Sequence, residues 1–306
     1  MNLRHKRKIC LIYANCQGEA VKIFLSKSRS FTRSYKIVSL VNYVVLTEKT
    51  ELDKKIFAKA ELFIYQPLAD HHGVYSTNEI LKLLPTTCIK LSFAYIYNDG
   101  LWPLFIEDKV IKGDDIILKM IQDGVSLPQI IFRFYRGKIN FRLRERFQKS
   151  LNILSQKEKG TDIKTAEYIL QNIGNRRLFL TQNHHTSEIY IHITNQILLK
   201  LGHKPLPSQN TYSVNEANLP DCWPQSPYET ATLNYNYVTD WKTFHGTRKK
   251  SNWLRFNTKI ISQIYNRHHS SLWRRTYCLS VVRMCLIVCD YMNFGIMKKF
   301  KIVEEC

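Results

Sequence analysis

Between Lys8 and Leu25 the chain passes from one hydrophobic pattern to another within a few residues. Lys8-Ile9-Cys10-Leu11-Ile12-Tyr13-Ala14 is a short apolar run suited to a buried strand, and Ala20, Ile23 and Phe24 then recur at the spacing of a helix face. The join is Asn15-Cys16-Gln17-Gly18. A strand that ends in small and polar residues and then opens a helix is where α/β folds place phosphate sites and nucleophiles, because the N–H groups of the first helical turn have no partner. A thiol there feels the positive end of the helix dipole, which lowers its pKa and raises the thiolate fraction. Cys16 is therefore the candidate nucleophile. The competing reading is that Cys16 is a small apolar filler beneath the helix, as many free cysteines are.

The same alternation continues downstream. Tyr35–Val41 reads as a second strand, Leu52–Ala60 as a short helix and Glu61–Tyr65 as a third strand, stopped at Gln66-Pro67 where proline withdraws a ladder donor. Ser76-Thr77-Asn78-Glu79 offers a capping-box start for a helix to Leu84, and Cys88–Phe93 gives a fourth strand. Strand and helix in turn predict an α/β fold, a parallel sheet flanked by helices, whose ligand lies outside the carboxyl ends of the strands. Three polar exits then share one crevice: Asn15-Cys16-Gln17, Gln66 to Gly73, and Tyr95 to Gly100.

Further on, helices are expected at Asp114–Gly124, Asp162–Ile173 and Ile189–Leu201, the last ended by Gly202 and introduced by Asn183-His184-His185-Thr186. From Ile130 to Lys149 basic and aromatic residues interleave, a pattern that binds phosphates or forms the solvated face of an amphipathic helix. Beyond Lys204 prolines make the chain loop-rich, and the tail from Trp241 is basic and aromatic. Within it the apolar run Tyr277–Phe294 is short for a bilayer span and carries Arg283 and Asp290. The expected division is an α/β domain over 1–204 and a basic, helical and loop-rich extension over 205–306.

A thiolate nucleophile needs a base and donors for the developing oxyanion. His71 or His72, leaving the third strand, and His184 or His185, ahead of the long helix, can supply the base, with Asp70 orienting an imidazole. Asn15 or Gln17 amides and backbone N–H groups after Cys16 can supply the donors. The formal charge of +20 favours polyanionic partners, whether a phosphorylated ligand, an anionic membrane surface or nucleic acid. The eight cysteines are scattered without a CxxC pair, so neither a disulfide framework nor a metal site is expected. No signal peptide is legible, and the expected location is cytoplasmic, with the inner membrane face as a peripheral alternative.

Tyr13-Ala14-Asn15-Cys16-Gln17, Tyr65-Gln66-Pro67 with Asp70-His71-His72-Gly73, Ser92 to Gly100 and Asn183-His184-His185-Thr186, in this order and spacing, resemble the WcbI-type polysaccharide biosynthesis family over roughly Lys8 to Gly202. The resemblance implies an SGNH-hydrolase-like core and a coenzyme A-dependent O-acyltransferase, acetyl in type, acting on a sugar of a capsular or other surface polysaccharide or its precursor. It implies catalytic roles for Cys16, His72 and His184, with Asn15, Gln17, Gln66, Asp70 and Asn183 holding the oxyanion or substrate. Coenzyme A or acetyl-CoA is then the polyanionic partner, with Arg133, Arg136 and Lys138 as phosphate ligands and no specific nucleic acid expected. Two positions depart from the family pattern: Ala14 stands where a glycine is usual, and His185 where a proline follows the histidine. The rival readings are a thiol hydrolase of the same fold and a non-catalytic basic protein that binds nucleic acid or an anionic membrane.

Overall fold

The computed structural model describes residues 6–102, 104–107, 110–112, 115–207, 227–236, 244–246, 249–251, 258 and 260–265. The tail expectations, including the run Tyr277–Phe294, lie outside these residues. In chain order the elements are β1 (Lys8–Ala14), α1 (Cys16–Lys27), α2 (Arg29–Ser34), β2 (Tyr35–Val41), α3 (Asn42–Glu48), α4 (Lys54–Phe57), β3 (Ala60–Tyr65), a 3-10 turn over Asp70–Tyr75, α5 (Thr77–Leu81) and β4 (Ile89–Ser92). After the β5–β6 hairpin (Phe105–Glu107 and Val110–Lys112) come α6 (Asp115–Gln122), α7 (Leu127–Tyr135), α8 (Leu143–Glu158), α9 (Ala166–Asn172), α10 (Ser187–Lys200) and α11 (Pro227–Thr232), then the short pair β7 (Phe244–Gly246) and β8 (Lys249–Ser251).

The central sheet has the order β2-β1-β3-β4 with every pair parallel. Its strands are near-continuous apolar runs because both faces are covered: Cys10, Leu11, Ile12, Leu62 and Ile64 are fully buried. Leu11, Tyr13, Phe57, Phe63 and Ile80 build the core on one side. Across the sheet, α1 sits very close to β1. A Cβ on Gly18 would stand 2.6 Å from Cβ of Ala14, so the backbone approach there requires glycine. β3 stops as its sequence requires. Gln66 still donates its N–H to the Tyr13 carbonyl, and Pro67 has no N–H to continue the ladder.

The chain crosses from β1 to β2 on one side and then returns to place β3 on the other side of β1. In parallel sheets that reversal opens a crevice at the carboxyl ends of the two strands, and ligands occupy it. Here those ends carry Asn15-Cys16 and Gln66.

The described residues fall into two compact units, one drawn from Met1–Tyr97, Leu151–Gln171 and His184–Val214 and the other from Asn98–Ser150, Asn172–Asn183 and Asn215–Cys306. The first contains the parallel sheet and α10. That helix ends as expected: Gly202 has φ 74°, and the N–H of His203 reaches the Leu198 carbonyl at 2.8 Å, which satisfies one of the last orphan carbonyls. The second unit packs Ile117, Leu127, Ile130, Phe134 and Phe141 with Tyr228, Ile261 and Ile264. The basic and aromatic segment is divided between α7 and α8, with Phe134, Phe141 and Phe147 buried and Arg133, Arg136 and Lys138 exposed. The amphipathic-helix reading of this segment describes the structure.

Among the described residues no helix is long and apolar enough to cross a membrane.

Candidate functional site

Asn15 caps α1. Its backbone is extended, and its Oδ1 accepts from the N–H of Gln17 at 2.9 Å, so one free donor of the first turn is satisfied. Cys16 is therefore the first helical residue, half-buried, at the end of β1. Its Sγ lies 3.8 Å from Nε2 of His184, within reach of a sulfur hydrogen bond. A separation of 168 residues in sequence is closed at this contact.

The electrostatics at Cys16 differ from the sequence expectation. Burial raises the thiol pKa and outweighs the N–H groups of Gln17 and of Cys16 itself, which hydrogen-bond the sulfur and favour thiolate. The helix start alone does not generate a standing thiolate. The proton must be taken by a neighbour, and His184 is the imidazole in contact.

Gln17 and Gln66 are buried polar residues that form a clamp. Gln66 Oε1 accepts from the N–H of Asn15 at 3.0 Å, and its Nε2 donates to Gln17 Oε1 at 3.1 Å. Gln17 also grips the backbone of Ile96 in both directions, donating from Nε2 to the carbonyl at 2.8 Å and accepting the N–H on Oε1 at 3.2 Å. These amides join the exits of β1, β3 and β4, and buried amides that satisfy one another hold a unique arrangement. The Gln17 amide thus bonds both Ile96 and Gln66. The N–H groups of Cys16 and Gln17 are the donors that bond the sulfur.

The other expected site residues have their own partners or surroundings. The His72 ring, half-buried in the 3-10 turn, packs on His71 with centroids 4.1 Å apart and makes no hydrogen bond to Cys16. Asp70 is exposed and accepts from Asn78 at 2.8 Å. Asn183 accepts from the Thr181 hydroxyl at 2.9 Å. Arg133, Arg136 and Lys138 belong to the second unit, where Arg136 lies over the Phe132 ring at 5.9 Å. No acidic side chain among the described residues pairs with these three cations. Arg146, by contrast, is held by both carboxylate oxygens of Asp99, at 2.9 and 3.0 Å. Among the described residues no group of three or more His, Cys, Asp and Glu side chains is arranged to hold a metal ion.

Tyr190 went unnoticed in the sequence because it lies within the apolar-periodic part of α10. It is 3% exposed, stacks on Phe24 of α1 and places its hydroxyl 3.4 Å from Nδ1 of His185. His185 is fully buried, and burial, helped by His184, lowers its pKa to about 3. The site thus contains a neutral imidazole beside the one that contacts Cys16.

That burial makes stability pH-dependent. The unfolded chain binds a proton at His185 near pH 6.5, whereas the folded chain excludes it until pH approaches 3. The stabilisation is complete above pH 6.5 and falls by on the order of 1.4 kcal/mol per pH unit through this window. Urea unfolding at pH 7 and pH 5 should show the native chain losing about 2 kcal/mol more on acidification than His185→Gln. Equal losses in the two proteins would mean that His185 is not buried neutral.

The chain is similar to known proteins over most of its length. The model of the family described as "Polysaccharide biosynthesis enzyme WcbI" matches residues 9–206. A solved structure of WcbI, described as a polysaccharide biosynthesis enzyme in its native form without a disulfide bond between coenzyme A and one of its cysteines, superposes with a TM-score of 0.65 at 18% identity. The match covers 92% of this chain and 99% of that one. No curated protein matches. With its family model spanning the sheet, the Cys16 helix and the His184 helix, the chain belongs to the WcbI family of polysaccharide biosynthesis enzymes.

Proposed function

We propose that this protein is an acyl-coenzyme A-dependent O-acyltransferase, acetyl in type, that modifies a sugar hydroxyl during the biosynthesis of a surface or capsular polysaccharide in the cytoplasm. The observation that carries this reading is the 3.8 Å contact between Cys16 Sγ and His184 Nε2 at the switch point of a parallel sheet. A base at that distance can take the proton of a thiol that is otherwise held protonated. The coenzyme A named with the WcbI structure supports a thioester as the donor. The residues present fit a thioester, since the Cys16 N–H beside the sulfur can meet its carbonyl oxygen.

In the proposed sequence His184 takes the Cys16 proton as the sulfur attacks the thioester carbonyl. The carbon–sulfur bond to coenzyme A then breaks, and the departing thiol leaves with that proton. A sugar hydroxyl next gives its proton to His184 and attacks the acyl-Cys16 carbonyl, and the Cys16 thiolate leaves and regains the proton. His72, on the turn after β3, is assigned to the substrates and not to the proton.

The test is to mix the protein with acetyl-CoA and digest it. The peptide bearing Cys16 should carry one acetyl group, and Cys16→Ala should carry none. An unmodified Cys16 combined with full transfer by Cys16→Ala would remove the covalent centre. An acetyl-enzyme that decays at the same rate with and without sugar would make the protein a thiol hydrolase.

A further inference from the structure

The segment after β4, bonded through Ile96 to Gln17, carries two aromatic residues to which none of the roles above is given. Burial alternates along it: Ala94, Ile96 and Asn98 are buried, whereas Tyr95 and Tyr97 are half-buried. Such alternation places the two tyrosines on one side of an extended strip. Their rings lie nearly parallel, 23° apart in plane with centroids separated by 6.3 Å. The residue between them, Ile96, is the one whose peptide groups Gln17 grips, and Gln17 follows Cys16 directly. The strip is therefore fixed to the nucleophile's own helix through one side chain.

Two half-buried aromatic rings with polar tips, on a strip tied to the residue that follows the nucleophile, match one class of ligand. A pyranose presents an apolar face of axial C–H groups to a ring and hydroxyls to its rim, and pockets use aromatic walls with few polar groups in this way. The adenine of a coenzyme A is a poor candidate for this position. Its base is separated from the reacting sulfur by the whole pantetheine arm and the pyrophosphate, whereas the tyrosines flank the peptide held by the neighbour of Cys16.

We infer that Tyr95 and Tyr97 form the platform on which the pyranose ring of the acyl acceptor stacks during transfer from Cys16. This rests on the acyltransfer reading above, and the test separates the two. Saturation-transfer NMR on the full chain with methyl gluco-, galacto- and mannopyranosides should show saturation concentrated on the C–H groups of one ring face for at least one sugar. Tyr95→Ala with Tyr97→Ala should weaken that sugar about tenfold, while Tyr95→Phe with Tyr97→Phe retains it, because stacking needs the ring and not the hydroxyl. Absence of binding by all three pyranosides to the native chain would overturn the platform without needing any variant. So would alanine variants that lose coenzyme A but keep the sugar. Acetylation of Cys16 by acetyl-CoA, followed by mass in the same native sample, reports on the acyltransfer reading separately. If Cys16 is acetylated and no sugar binds, the platform fails and the chemistry stands.

Discussion

His184→Ala should lower kcat for acyl transfer by about a hundredfold or more with little change in donor KM, since removing a general base acts on the transition state and not on substrate binding. Its size follows from the state of the thiol. Burial keeps Cys16 protonated above its ordinary value, so without His184 the reactive thiolate is scarce at neutral pH. The variant's rate should therefore climb with alkalinity and still be rising where the native enzyme has levelled off. Added imidazole should restore part of the lost rate. His72→Ala should act mainly on KM, because that ring contacts His71 and not the sulfur. If His184→Ala kept a normal kcat and a normal pH profile, the 3.8 Å contact would have no part in proton transfer.

The largest expected loss of stability is at Gly100. A Cβ there would overlap the backbone N and Cα of Phe147, and neither atom can move aside as the end of a flexible side chain can. The approach is maintained by several bonds within the same unit. Asn98 accepts the Gly100 N–H at 2.9 Å and donates to the Phe147 carbonyl at 3.4 Å, Asp99 donates its N–H to the Ser150 hydroxyl at 3.0 Å, and Arg146 holds the Asp99 carboxylate. Gly100→Ala should cost on the order of 3 kcal/mol, at the upper end of what overpacking does. A thermal melt should show Tm lowered by roughly 5 °C or more. A variant that melts with the native protein would mean that this segment is not docked against residues 146–150.

The sequence made the sheet legible for a simple physical reason. Four apolar runs alternate with polar or helical segments, and two of them end at a clear stop, the Asn15 cap after β1 and Gln66-Pro67 after β3, so the strands could be placed directly. α3 escaped because Tyr43-Val44-Val45-Leu46 has the β-branched composition of a strand and its N-cap, Val41, offers no side-chain bond. At the site, Cys16 could be found from its position between strand and helix. The direction of its pKa could not, because burial of the sulfur depends on what the rest of the chain brings over it. Pairing Cys16 with His184 in preference to His72 spans 168 residues, and no periodicity contains that information. The work of Gln17 and Gln66 was hidden in the same way. An amide that closes on another amide looks in sequence like an amide that waits for a substrate.

The Gln17 clamp has a bearing on which replacements such an enzyme can accept. Gln17 takes hold of residue 96 by its peptide groups, so this hold does not depend on which side chain stands at 96. A replacement there that keeps the backbone can therefore leave the strip tied to the helix that carries Cys16.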